Sequence, residues 1–263
     1  MDSNAFSALM LTVFAGISTG LGSLIALFAK RTNTKFLSLS LGFSAGVMLY
    51  VSMIEIFSKA REYLANVHGF TKGYWLCVTA FFAGILIIGI IDFFLPSTDS
   101  DIGAVMNPDA SRNDSLNRMG IMTALAIAIH NFPEGMATFT SALRDPKLGI
   151  AIAVAIAIHN IPEGIATSLP IYFSTGKKLH AFCISFLSGI TEPLGAVIGY
   201  LILRPFFNDT VFGFLFSAVA GTMVFIALEE LIPMAHEYEK SKITIIGVVI
   251  GMAVMALSLL MFI

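Results

Sequence analysis

The sequence repeats the pattern His-Asn-x-Pro-Glu-Gly, and the two copies are 29 residues apart. The copies lie in Ala126–Thr138 and Ala155–Thr167, which match at eleven of 13 positions. The histidine and glutamate of each copy are four residues apart, so on a helix they share one face. Imidazole, amide oxygen and carboxylate without thiolate suit divalent metals such as Zn²⁺, Fe²⁺, Mn²⁺ and Co²⁺. The repeated pattern therefore predicts a site that handles a cation.

The candidate ligands form two overlapping sets. A third acid, Glu192, lies in another apolar stretch and, like both motif glutamates, neighbours a proline. Two carboxylates shared between adjacent sites could hold two metal ions. We expect a nitrogen-containing site made of His130, His159, Glu134 and Glu163. We expect an oxygen-rich neighbour made of Asn131, Asn160, Glu192 and the same two motif glutamates.

The charge balance of these stretches supports the same interpretation. A carboxylate at the centre of a bilayer costs about 2.5–3.5 kcal/mol on insertion scales. All 15 lysines and arginines lie in polar segments or at helix edges, so no Lys or Arg salt bridge can neutralise Glu134, Glu163 and Glu192. Either the acids are protonated or a mobile cation supplies the missing positive charge.

The composition predicts the elements that position these residues. The chain is 57% hydrophobic and 12% charged, with a mean hydropathy of +0.87. A spanning helix needs about 20 apolar residues. The class is therefore an all-α polytopic membrane protein, and residues 1–263 form a single transmembrane domain with no room for a soluble one. The predicted helices are 5–29, 36–57, 75–95, 119–143, 148–170, 181–203, 211–232 and 243–263, and the polar segment 96–118 is expected to be a flexible connector.

Internal repeats predict how these eight helices are arranged. The motif copies fall on the fourth and fifth helices, which run in opposite directions because they are consecutive. The spacing Gly16…Gly22 recurs as Gly189…Gly195, which relates the first helix to the sixth. A similar run beginning at Ala45 recurs at Ala220 and relates the second helix to the seventh. These matches predict a 3+2+3 inverted repeat, the usual plan of secondary transporters.

The distribution of basic residues predicts the orientation. Loops after odd-numbered helices carry nine of them and loops after even-numbered helices carry six. The positive-inside rule then places both termini outside. The first set is Lys30, Arg31, Lys35, Arg112, Arg118, Lys177, Lys178, Lys240 and Lys242. No basic stripe suggests nucleic-acid binding.

Further polar positions suggest a route to and from the site. Pro133 and Pro162 lack an N–H, which predicts unpaired carbonyls at Ile129 and Ile158 that face a wet cavity or a cation. We expect Glu55 to collect cations outside. We expect a second group to release them inside, namely Asp92, Glu229, Glu230 and His236. The alternative is that these are interfacial acids in contact with water.

Two functions other than transport compete for the same residues. Histidines on facing helices could ligate haem, but the adjacent glutamates argue against it because haem needs apolar walls. A membrane metallohydrolase would use His-Glu-x-x-His, and the sequence lacks that spacing. An intramembrane metal-dependent hydrolase remains the alternative, since a zinc site with an activated water could resemble this set.

The doubled motif, the run Ser188–Gly195 and the run Phe225–Pro233 resemble the ZIP (Zrt/Irt-like) family of divalent-metal transporters, especially its bacterial members. The resemblance implies a two-metal site between the fourth and fifth helices, import of zinc into the cytosol across the plasma membrane, a homodimer and no resident cofactor. A carboxylate-rich site also implies iron, manganese, cobalt and cadmium as cargo. The implied ligands are His130, Asn131, Glu134, His159, Asn160, Glu163 and Glu192.

Overall fold

A computed structural model describes residues 3–28, 34–93, 111–206, 208–239 and 242–261. Every regular element within these ranges is helical, which confirms the all-α class. The α-helices are α1 (Ser3–Ala26), α2 (Thr34–Tyr50), α3 (Phe57–His68), α4 (Phe70–Phe93), α5 (Ser111–Arg144), α6 (Pro146–Thr175), α7 (Lys178–Leu203), α8 (Asp209–Ile226), α9 (Ile232–Tyr238) and α10 (Ile243–Leu260). The π-helical segment Val51–Ile56 joins α2 to α3, and Ala227–Leu231 joins α8 to α9.

Seven helical stretches in the described part of the chain are long and apolar enough to cross a membrane. They are Asn4–Ala26, Ser38–His68, Phe70–Ile91, Pro146–Thr175, Lys178–Ile202, Asp209–His236 and Ile243–Leu260. The first motif helix, α5, is not among them although α6 carries the same motif, because polar residues also occupy its first turns and the turns that follow the motif. It is antiparallel to α6 and packs against α6 and α7, and its side chains from Ala137 to Ala142 are all buried. We therefore count α5 as the eighth crossing.

Several helices extend beyond their predicted bounds. The second crossing continues to His68, where Gly69 ends it with a φ of 82°. The seventh crossing continues to Tyr238. α5 begins at Ser111, so residues 111–118 of the expected connector are helical, while residues 96–110 lie outside the described ranges. Hydropathy identifies only the part of a helix that lies in hydrocarbon, whereas backbone hydrogen bonds continue into the polar region.

The contacts between helices confirm the inverted repeat. α1 crosses α7 where Gly16 and Gly189 face each other, and a Cβ on either glycine would overlap the carbonyl oxygen of the other. Gly46 of α2 lies against the backbone of α10 in the same way that Gly221 of α8 lies against α4. Small residues allow such close approach of helices in a membrane. The first helix therefore corresponds to the sixth, the second to the seventh and the third to the eighth.

The helices form two packing groups. α1, α5, α6 and α7 pack mainly on one another, whereas α2 packs with α10, and α4 packs with α3 and α8. We call these the motif group and the flanking group. Large apolar side chains on α4 and α10 are exposed, among them Phe82, Leu86 and Val249, as expected for surfaces that face lipid.

A tight turn joins the two motif helices. Asp145 lies between them and caps α6, because its side chain accepts hydrogen bonds from the backbone N–H groups of Lys147 and Leu148 at 3.0 and 3.3 Å. Pro146 occupies the first turn of α6, where the missing N–H costs nothing. This turn sets the register in which the two copies of the motif face each other.

Candidate metal centre

The two copies of the motif pair crosswise between α5 and α6. His130 Nε2 lies 3.3 Å from Glu163 Oε2, and His159 Nε2 lies 3.4 Å from Glu134 Oε2. All four side chains are at most 1% exposed. Sequence spacing predicted that each histidine shares a face with the glutamate of its own copy. The direct hydrogen bonds run instead to the glutamate of the other copy, because antiparallel packing brings each imidazole level with it.

The motif asparagines attach this pair of helices to α1 and α7. The Asn131 amide donates to the carbonyl oxygen of Ser188 at 3.2 Å. The Asn160 amide donates to the carbonyl oxygen of Ala15 at 3.0 Å. Ser188 and Ala15 each immediately precede one of the two crossing glycines. The asparagines therefore make equivalent contacts with the two halves of the repeat.

The third predicted acid lies beside the second copy of the motif. Glu192 is fully buried on α7 and accepts a hydrogen bond from the Asn160 amide. A Cβ on Gly135 would overlap the Glu192 carbonyl oxygen, and a Cβ on Gly164 would overlap that of Thr19. The glycine after each motif glutamate thus lets α7 or α1 approach closely. Thr19 occupies the position on α1 that corresponds to Glu192.

Every predicted ligand retains one buried polar atom without a hydrogen-bond partner. Such atoms are rare in protein interiors and point to a bound water or ion. They are His130 Nδ1, Asn131 Oδ1, Glu134 Oε1, His159 Nδ1, Asn160 Oδ1, Glu163 Oε1 and Glu192 Oε2. The donor set fits a divalent metal, because it combines imidazole nitrogen with carboxylate and amide oxygen.

The side chains are paired rather than arranged around one point. Within the described ranges, no group of three His, Cys, Asp or Glu residues already has the geometry of a metal site. Metal binding at these residues would replace the two His–Glu hydrogen bonds and the Asn160–Glu192 hydrogen bond. The imidazoles of His130 and His159 are a source of positive charge beside these carboxylates in addition to lysine and arginine. A proton held between His130 and Glu163 compensates a carboxylate as a metal ion does.

The prolines do not break the motif helices, since α5 and α6 continue through Pro133 and Pro162. The sequence predicted unpaired carbonyls at Ile129 and Ile158. A side chain instead bonds to the carbonyl of the residue after Ile158: the Ser44 hydroxyl donates to the His159 carbonyl oxygen at 3.1 Å. Ser44 is a functional candidate that sequence reasoning missed. Its only signal was its place before the repeated Ala-Gly pair of α2.

The residues expected along the route lie on other elements than the two motif helices. Glu55 is half-buried in the π-helical segment before α3 and lines a cavity of about 400 Å³ together with Lys59, Arg61 and Glu62. Its counterpart in the repeat, Glu230, is half-buried in the other π-helical segment. Single π-helical turns inside α-helices occur often at functional sites.

The remaining predicted release residues lie near the same end as Glu230. Glu229 and His236 are exposed. Asp92 lies in the last turn of α4, and its side chain is outside the described residues. The described residues do not test a role for Glu229, His236 or Asp92 in release, so that role remains a prediction.

Comparison with known proteins identifies the family. A model of the ZIP zinc transporter family matches residues 97–259. The chain is 56% identical over 271 residues to "Zinc transporter ZupT" of Lysinibacillus sphaericus, which covers all of both chains. It is 57% identical over 264 residues to the protein of that name from Oceanobacillus iheyensis, which covers 98% of both chains. It is also 57% identical over 265 residues to that of Streptococcus mutans, which covers all of both chains.

The family model spans more than half of the chain, and these relatives match it from end to end. The transporter interpretation therefore stands over the hydrolase and haem alternatives. The chain belongs to the ZIP family and is a multi-pass membrane transporter of divalent metal ions, not an enzyme.

Proposed function

We propose that this protein imports Zn²⁺ into the cytosol through a two-metal site made by both motif copies and Glu192. The observation that carries the proposal is the crosswise pairing of His130 with Glu163 and of His159 with Glu134, together with one unpartnered polar atom on each of the seven candidate ligands. The names of the curated relatives support zinc as the main cargo. The high carboxylate content also admits Fe²⁺, Mn²⁺, Co²⁺ and Cd²⁺.

The mechanism that we propose is alternating access. The motif group carries all seven ligands on α5, α6 and α7, and the flanking group packs against it mainly through α2. Movement of one group against the other exposes a fixed site to each side in turn. Metal binding requires neutral imidazoles and ionised carboxylates, so it displaces protons from the His–Glu pairs. Uptake should therefore fall as the external pH is lowered.

The direction of transport rests on the proposed orientation, with both termini outside the plasma membrane. In that orientation the cavity beside Glu55 opens outside, and Glu229, Glu230 and His236 face the cytosol. Asp92 belongs to the same inner group. The two repeat-related glutamates in π-helical segments, Glu55 and Glu230, would then act on opposite sides of the membrane. Reaction of Ser58→Cys, in a Cys183→Ser background because Cys183 is itself exposed, with an impermeant maleimide on intact cells tests this orientation. Labelling only after lysis would reverse it.

We also propose that two chains associate in the membrane. The exposed apolar faces of α4 and α10 offer the surface, through side chains such as Phe82, Leu86 and Val249. The mass of the detergent-solubilised protein, measured by light scattering with the bound detergent subtracted, distinguishes one chain from two. A mass of one chain at every protein concentration would contradict the dimer.

The central experiment is uptake of Zn²⁺, Fe²⁺, Mn²⁺, Co²⁺ and Cd²⁺ into proteoliposomes by wild type, Glu134→Ala and Glu163→Ala. We expect each substitution to reduce uptake at least about tenfold, since loss of one ligand or its support weakens metal binding by about 10–100-fold. Glu62→Ala is the matched control, because it removes an exposed carboxylate and should leave uptake at saturating metal unchanged. Full uptake by both site variants would reject this site.

A further inference from the structure

Four buried hydroxyl residues lie beside the second copy of the motif, and transport through the motif does not account for them. They are Thr19 and Ser23 of α1, Ser168 of α6 and Ser185 of α7, and all are 0% exposed. We call them the hydroxyl cluster. Ser168 and Ser185 both donate to the carbonyl oxygen of Gly164, at 2.6 and 3.2 Å. The same glycine lies against the backbone of Thr19 and Ser23, so the four residues surround one point on α6.

Two members of the hydroxyl cluster have no hydrogen-bond partner. Thr19 Oγ1 and Ser23 Oγ are buried and unpaired, although serine and threonine in a helix readily bond to the carbonyl one turn earlier. Thr12 and Ser168, for example, make that bond. A buried hydroxyl left unpaired costs about 1–3 kcal/mol. The hydroxyls of Thr19 and Ser23 therefore point to a bound polar ligand.

The repeat places a different set of residues at the corresponding positions of the other half. Thr19 corresponds to Glu192, Ser23 to Ala196, Ser168 to Phe139 and Ser185 to Thr12. Phe139 and Ala196 belong to a buried apolar cluster with Ala5, Ala8 and Ala142. At these four positions, the α7 side of the motif pair has one acid, two apolar residues and one threonine, whereas the α1 side has four hydroxyl residues.

The position of Thr19 identifies the ligand. Glu192 meets the Asn160 amide directly, and Asn131 is the corresponding amide on the side of Thr19. The threonine side chain is two carbons shorter than glutamate, and both Thr19 Oγ1 and Asn131 Oδ1 are unpaired. A water molecule between them would satisfy both groups, because buried waters typically make about three hydrogen bonds to such atoms.

We propose that the hydroxyl cluster holds water that completes the coordination shell of the transported divalent cation on the α1 side. This inference rests on the proposed function. Glu192 gives the cation a charged ligand from α7, and Thr19 gives it a neutral, water-mediated contact from α1. Because water is an oxygen ligand, the contact matters most for cations that prefer oxygen and least for Zn²⁺, which binds nitrogen well.

The test compares Thr19→Val, Thr19→Ser and Ser23→Ala for uptake of Zn²⁺ and Mn²⁺ into proteoliposomes and for equilibrium binding of both metals to purified protein. Valine keeps the shape of threonine without its hydroxyl. Loss of one hydrogen bond, about 0.5–1.5 kcal/mol, should raise the KM of Thr19→Val for Mn²⁺ about two- to tenfold. The KM for Zn²⁺ should change less than about twofold, and Thr19→Ser should behave as wild type. Ser23→Ala should cause a smaller increase in the same direction.

Thr12→Val is the matched control. Thr12 is a buried threonine of the same helix and the counterpart of Ser185, but its hydroxyl bonds to the Ala8 carbonyl oxygen at 3.0 Å. It should leave the Mn²⁺ to Zn²⁺ ratio of KM unchanged. Equal KM values in Thr19→Val and wild type, or the same change in Thr12→Val, would overturn the inference. A wild type that binds Zn²⁺ but no Mn²⁺ at millimolar concentration would overturn it as well.

These outcomes separate the inference from the proposed function. If Glu134→Ala abolishes uptake while Thr19→Val leaves both KM values unchanged, the motif site stands and the water-binding role of Thr19 is rejected. If Glu134→Ala and Glu163→Ala both transport normally, the proposed function itself fails.

Discussion

The two halves of the molecule contact the motif helices through the same backbone atoms. Asn131 binds the carbonyl of Ser188 in α7, and Asn160 binds that of Ala15, its counterpart in α1. The close contact of Gly135 with α7 likewise repeats in the contact of Gly164 with α1. Both halves have glycine where the backbones of two helices touch, because a larger side chain there would push the helices apart.

The side chains that face the motif do not follow the repeat. Glu192 meets Asn160, but its counterpart Thr19 stops short of Asn131. Ser44 donates to the His159 carbonyl oxygen, whereas the residue corresponding to Ser44 is Val219, which has no hydroxyl. A symmetric frame therefore holds an asymmetric site. The two sides of the site are free to differ in charge and hydration without a change in helix packing.

Substitutions at the shared backbone contacts should have the largest effect. Gly135→Ala and Gly164→Ala should each lower the stability of the folded protein by about 1–3 kcal/mol, because the new methyl group overlaps a carbonyl oxygen of the neighbouring helix. Thermal unfolding in detergent, followed by loss of the monodisperse elution peak, measures the effect. In Gly89→Ala, the control, the methyl group would meet only the Phe225 ring, at 3.4 Å. Equal melting of Gly89→Ala and Gly135→Ala would show that the close approach is unimportant.

The difference in charge between Glu192 and its counterpart Thr19 should cause the second-largest effect, a change in the number of metal ions bound. Glu192→Gln should weaken one of two Zn²⁺ sites about 10–100-fold and leave the other, because the His–Glu pairs remain. Elemental analysis of dialysed protein should then fall from two zinc ions per chain to one. Thr19→Val, which removes no charge at the corresponding position, should retain two. A Glu192→Gln protein that retains two ions with unchanged affinity would contradict the role of this acid.

Much of the frame could be predicted from the sequence because apolar length and repeated spacing report directly on helix number and direction. The repeated Gly16 and Gly189 patterns predicted which helices correspond. The pairing of His130 with Glu163 could not be predicted, since it depends on the register between two helices, which the Asp145 turn sets. The π-helical segments at Glu55 and Glu230 were also beyond prediction, because an extra residue in one turn leaves no mark in hydropathy.

The two π-helical glutamates provide a third test of the repeat. Glu55→Gln should reduce zinc uptake a few-fold at low external metal and have little effect at saturating metal, because a surface carboxylate concentrates cations without binding them tightly. The reduction should become smaller as ionic strength increases, since salt screens the attraction. Glu230→Gln, on the side proposed to be cytosolic, should not change the dependence on external metal. An unchanged concentration dependence in Glu55→Gln would remove its collecting role.

The smallest effect concerns a contact that links the motif group to the flanking group. Arg144, the last residue of α5, forms an ion pair with Asp209. Its guanidinium carbon also lies 5.5 and 5.4 Å from the ring centres of Tyr63 and Phe212. At the other end of the motif group, Lys178 lies over the rings of Phe28 and Tyr172. Tyr172 lies in α6 and Phe28 directly follows α1, so both contacts stay within the motif group.

In the alternating-access mechanism proposed above, movement of the motif group against the flanking group would break the Arg144 contact. The Arg144–Asp209 pair is more than one-third exposed on both sides, so it stabilises this conformation by less than about 1 kcal/mol, which is up to about fivefold in population. In a Cys183→Ser background, used because Cys183 is itself exposed, Arg144→Gln should therefore increase the rate at which a polar maleimide labels Ser141→Cys by a few-fold at most. Ser141 is buried one turn before Arg144. Lys178→Gln should leave that rate unchanged, because its contacts lie within one group. If both substitutions accelerate labelling equally, the effect is general loosening of the protein and the Arg144 contact does not hold the two groups together.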